Sequence, residues 1–168
     1  MTNAEMTELF AVMRLNYRNA KMFEGGLASL APTIKLWTTM LPEVDYWTGQ
    51  RALYRLLRSC KYPPTIAEFK EAADEVAAEL RGKYRNLESV LKMHCLASGK
   101  TVRELYPELG ASDPARRVID EMGGPDAMGS DNDHRWKQFE QAYYRLAKKE
   151  SPAQALTALP GGRKELTK

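Results

Sequence analysis

The chain has 168 residues, 43% hydrophobic and 28% charged, and its 25 Lys and Arg against 22 Asp and Glu leave a formal charge of +3. That length holds one ordinary core or two small ones and argues against a multidomain enzyme, while the slight basic excess falls short of the concentrated field of a dedicated nucleic-acid binder. Two cysteines are too few for a disulfide-stapled secreted scaffold, and the absence of a basic leader or a long uncharged apolar run leads to the expectation of a soluble cytoplasmic protein with no membrane segment.

Met6, Leu9, Phe10, Met13 and Tyr17 repeat with helical period and predict a first helix over residues 3–18. A connector containing Gly25, Gly26 and Pro32 follows, with Leu27 and Leu30 as partial anchors. Ile34, Trp37 and Leu41 share one face of a short second helix that Pro42 ends. A third helix is predicted from about residue 44 or 46 to 59, with Trp47, Leu53, Leu56, Leu57 and Cys60 toward a core and Arg51, Arg55 and Arg58 along another side.

The stretch SCKYPPTIAEFKEAADEV opens the fourth helix. Pro63 and Pro64 hold the chain extended, because a residue before proline avoids the right-handed helical region. Thr65 can then cap the helix while Glu68 bonds back to the cap amide. Ile66, Phe69, Ala73, Val76 and Leu80 make its apolar stripe. The pattern loosens at Gly82, so NLESVLKMHCLASG reads as a separate helix, and Thr101 with Glu104 offers a second capping box. Asp113 and Pro114 start a short helix that Gly123 and Gly124 stop, and GGPDAMGSDND reads as the most flexible loop. Asp133 is positioned to cap a last helix in which Trp136, Phe139, Tyr143 and Leu146 recur at helical spacing.

No alternating pattern demands a strand. The fold class is therefore all-α: a small N-terminal helical bundle, a smaller helical C-terminal region and a flexible tail. The expected divisions are residues 1–82, 83–151 and 152–168.

The residues assemble no obvious catalytic set. A phosphate-gripping Gly-rich loop with its Lys and hydroxyl is missing. His94 and Cys95 are adjacent and point in different directions on a helix, and His134 is distant, so neither a metal site nor a Cys-His pair forms locally. Glu68, Glu71, Asp74, Glu75 and Glu79 read as a solvated helix face without the burial that tunes catalytic acids. The protein is read as a non-enzyme that needs no cofactor.

Binding is the better-supported class. Arg51, Arg55 and Arg58 form one basic stripe with Lys61 nearby, and Arg14, Arg18 and Lys21 form another. Such stripes serve water, an acidic protein partner or nucleic acid. Tyr143 and Tyr144 are adjacent, so one of them is a candidate contact outside the core.

Leu9, Phe10 and Tyr17, then Leu36, Trp37 and Leu41, then Asp45 and Tyr46, and finally Tyr62, Pro63, Pro64, Thr65, Ile66, Ala67 and Glu68 follow an order with a known counterpart. Over residues 7–80 this order resembles the phage replicative-helicase loader and inhibitor family. The resemblance implies a helical N-terminal domain and an adaptor that binds a DnaB-type hexameric replicative helicase in its ATP-bound form. It also implies loading at a phage origin, inhibition of the helicase while bound, and an origin-binding protein as a further partner in the bacterial cytoplasm. Candidate partner-binding residues are Arg51, Arg55, Arg58, Trp136, Phe139, Tyr143 and Tyr144, with Trp37, Tyr62, Pro63, Pro64, Thr65 and Glu68 as the structural motif. The alternative reading is a DNA-binding replication or regulatory protein using its basic helix faces.

Overall fold

The computed structural model describes residues 1–129 and 133–149. These residues are helical, with no strand among them. The helices are α1 (Asn3–Asn16), α2 (Ala31–Met40), α3 (Tyr46–Ser59), α4 (Ile66–Ser98), α5 (Val102–Leu105), α6 (Pro114–Glu121) and α7 (Asp133–Lys149). The chain divides into two compact units, Met1–Leu80 and Arg81–Lys168. The tail expected over residues 152–168 lies outside the described residues.

In the first unit each long helix starts on a side-chain cap. Thr2 and Glu5 exchange backbone and side-chain bonds at α1, a box the sequence reading passed over. Asp45 accepts the backbone N–H groups of Trp47 and Thr48 at α3. Thr65 and Glu68 form the expected box at α4: the Thr65 N–H reaches Glu68 Oε2 at 2.7 Å, and the Glu68 N–H reaches Thr65 Oγ1 at 3.3 Å. These bonds satisfy amides that a helix N-terminus otherwise leaves open.

Caps fix where the helices begin; aromatic packing fixes how they meet. The Trp37 ring of α2 stands edge-on to Phe10 of α1 at 5.1 Å and to Phe69 of α4 at 5.4 Å. Phe10, Phe69, Leu41 and Leu53 are fully buried around that contact. The connector between α1 and α2 is not slack. It folds as two 3-10 turns, Lys21–Phe23 and Ala28–Leu30, that bury Phe23 and Leu30. Gly26 takes φ +74°, a conformation L side chains rarely adopt. The Tyr17 hydroxyl donates to the Cys60 carbonyl at 3.0 Å and ties the end of α1 to the end of α3.

The break expected at Gly82 is absent, because α4 continues to Ser98. A mid-helix glycine costs only about 1 kcal/mol relative to alanine, and Gly82 is exposed with nothing near its missing Cβ. Across it, Leu80, Tyr84, Leu87, Leu91 and Cys95 keep helical spacing on one face. Tyr84 and Leu91 are buried in the second unit's core, with Leu87 and Cys95 packed against it. That register outweighs the local propensity.

In the second unit α5 starts on the expected Thr101 and Glu104 box, and Asp113 caps α6 through the Ala115 N–H at 2.7 Å. Gly123 and Gly124 end α6 with φ of +106° and +97°. The loop read as flexible contains a 3-10 turn, Pro125–Met128, that sends Met128 into the core. The rest of that core is built from Val102, Val118, Ile119, Trp136, Phe139 and Ala142. Asp133 is the first residue of α7 rather than the residue before it.

Candidate partner-binding surfaces

The arginine stripe of α3 separates into three different situations. Arg51 is half-buried, with its guanidinium stacked over the Trp47 ring at 4.2 Å from the centroid. Arg55 pairs with Glu79 of α4 and lies 4.0 Å from Glu75. Arg58, one turn further on, is exposed. So Arg51 and Arg55 hold the first unit together, and Arg58 keeps its charge at the surface.

The signature segment that follows is part scaffold and part surface. Pro64 is buried and Pro63 half-buried, while Tyr62 is 71% exposed, with Lys61 Nζ 5.7 Å from its ring centroid. Bonding from the Thr65 backbone N–H, then from its hydroxyl, holds the Glu68 carboxyl below its ordinary value. The acidic face of α4 has comparable structural uses. Glu79 holds Arg55, and Asp74 with Glu43 brackets Lys70 at 3.0 and 2.9 Å.

In the second unit Phe139 is fully buried and Trp136 nearly so, with their rings 5.5 Å apart and Lys92 Nζ over Trp136 at 4.5 Å. Both belong to the core, so neither presents a free face. Tyr143 and Tyr144 are half-buried, and both rings pack on Tyr84, at 5.6 and 6.0 Å. The expectation that only one of them meets the core therefore needs correction: Tyr84 is broad enough to take both. Burial, reinforced by Glu140, pushes the Tyr144 hydroxyl above its ordinary value, and Arg81 and Arg85 counter that shift.

The sequence reading passed over several exposed apolar residues. Leu36 and Met40 protrude from α2, and Val90, Met93 and Leu96 from the second half of α4. A short helix that is apolar on both faces was the available signal, since one face is enough for a core.

No group of His, Cys, Asp and Glu able to hold a metal ion occurs among the described residues. Cys60 and Cys95 are free thiols. No helix among the described residues is long and apolar enough to cross a membrane.

Residues 1–70 match the family model for the N-terminal domain of the gene 39 protein, a phage helicase loader and inhibitor. The match covers almost the whole of the first unit and supports the resemblance read from the sequence. No curated protein and no solved structure matches the chain.

Proposed function

We propose, from the membership of residues 1–70 in the phage replicative-helicase loader and inhibitor family, that this protein is a non-catalytic adaptor for a hexameric replicative helicase. It binds the ATP-bound ring, holds it inactive and releases it at the origin, where an origin-binding protein is its second partner. Such an adaptor needs no reactive group. It works through different affinities for two ring conformations, because a ligand shifts an equilibrium only by that difference.

The observation that carries this reading is the family match over the domain that contains Tyr62, Pro63, Pro64 and the Thr65 and Glu68 cap. Among the candidate contacts, Arg58, Tyr62, Tyr143 and Tyr144 retain exposed or partly exposed surface. Arg51, Arg55, Trp136 and Phe139 act on binding indirectly, by holding α3 and α7 in shape. Adding the protein to the helicase should lower its single-strand-stimulated ATPase, saturating at a fixed ratio to the ring. Arg58→Glu should weaken that inhibition without lowering the melting temperature. An ATPase rate that stays flat across the titration would remove the inhibitor half of the proposal.

Charge distribution favours one alternative. Residues 81–168 carry sixteen Lys and Arg against twelve Asp and Glu, whereas residues 1–80 carry nine against ten. If the second unit binds DNA, affinity for bare DNA should fall steeply with salt. Helicase binding should be less salt-sensitive.

A further inference from the structure

We infer that the first unit carries a second, separate docking site: a groove beside the end of α1 that takes an acidic polypeptide segment with apolar anchors. The groove is open, about 550 Å³ in volume, and lies between the last turns of α1 and the connector. Its floor is apolar, formed by Ala11, Leu15, Phe23 and Leu27. Leu15 is 68% exposed at this floor, while Phe23 is 3% exposed and fixes the connector as the opposite wall. Arg14 and Arg18 complete the lining, and both are exposed.

The plainest account of Arg14 is a cation at a helix C-terminus, where it meets the negative end of the dipole. That account leaves out Arg18, which lies beyond the end of α1, and it gives no reason for a large exposed leucine between the two guanidinium groups. A concave apolar floor with a cationic rim is complementary to a segment whose buried side chains are apolar and whose flanks are acidic. The shape excludes smaller ligands, because sites for metabolites enclose most of the ligand and this groove stays open. The charge balance disfavours nucleic acid: Glu24 also lines the groove, and the unit as a whole has one more acidic than basic residue.

Glu24 supplies a test of sign. An acidic occupant is repelled by it, so neutralising Glu24 should strengthen binding while reversing the arginines weakens it. A purely structural role for these side chains would not produce opposite effects.

The experiment is fluorescence anisotropy on the full chain. The probe is a fluorescein-labelled peptide with Leu and Phe on one helical face and Asp and Glu on the others. Saturable binding is expected, weakened at least about tenfold by Arg14→Glu with Arg18→Glu and by Leu15→Asp, and strengthened severalfold by Glu24→Gln. All four positions are exposed or half-buried at the surface, so the circular dichroism melts should match the parent. Arg14→Gln with Arg18→Gln gives a milder second variant with an intermediate loss. Binding that fails to saturate, or that ignores the arginine variants, overturns the inference. Displacement of the peptide by oligothymidine with the same arginine dependence would also overturn it, in favour of a nucleic-acid surface. The measurement contains no helicase, so its failure and the failure of the adaptor reading are distinguishable.

Discussion

The two units start their helices with the same chemistry and spend their charges differently. Thr65 with Glu68 in the first unit and Thr101 with Glu104 in the second make the same reciprocal cap. The first unit has a net deficit of one positive charge, and two of its arginines are committed to Trp47 and Glu79. The second unit has a net excess of four over residues 81–168, and Arg145 and Lys149 are held by Glu121. The cores differ as well. The first closes on an aromatic chain from Phe10 through Trp37 to Phe69, all buried. The second runs its aromatics outward, from buried Tyr84 to half-buried Tyr143 and Tyr144. A family signature resting on the first arrangement is therefore mainly a packing signature. Contact surface has to be sought in what that packing leaves exposed.

The sharpest way to separate the units is to cut each core. Phe69→Ala and Phe139→Ala each remove a fully buried ring and should each cost about 3–5 kcal/mol of stability in urea denaturation. Hydrogen exchange should show the first variant losing protection chiefly in residues 1–80 and the second chiefly in residues 81–149. Equal loss throughout in both variants would merge the units into one cooperative body.

A smaller effect tests the shared cap. Thr65→Ala and Thr101→Ala should each cost about 1 kcal/mol. The first should cost more if the long α4 depends on its start more than the single turn of α5 does.

Acid titration probes the same caps. Glu68 and Glu104 are lowered from 4.5, first by the backbone N–H of Thr65 and Thr101 and then by the hydroxyls. A depressed folded value contributes stability that is fully present above the unfolded value and is lost as pH falls through the folded one. Thermal stability should therefore hold steady above pH 4.5 and decline below it. Glu68→Gln should flatten part of that decline.

The smallest change belongs to Arg55→Gln. Its ion pair with Glu79 is nearly half exposed on both sides, so the loss should stay below about 1 kcal/mol by double-mutant cycle with Glu79→Gln.

Helix positions were legible from the sequence where their causes are local. Pro64, Thr65 and Glu68 lie within five residues, and their spacing alone specifies the start of α4. Gly82 misled because its local cost is small beside the register that Leu80, Tyr84 and Leu91 maintain across it. The GGPDAMG loop misled in the opposite direction, since nothing next to Met128 in sequence shows the pocket it fills. The α3 stripe was legible as geometry and not as availability. The four- and three-residue spacings place Arg51, Arg55 and Arg58 along one side, but Glu79 is brought to Arg55 only by tertiary packing. The same limit applies to Trp136 and Phe139, whose spacing describes a stripe without saying what covers it.

The adaptor reading is tested most directly by size exclusion with light scattering on the full chain mixed with an intact hexameric replicative helicase, encoded by the same phage or by its host, with and without an ATP analogue. The account predicts a complex of defined mass that forms with the analogue and dissociates without it. Two separate peaks under both conditions, with the ring verified as a hexamer, would contradict it.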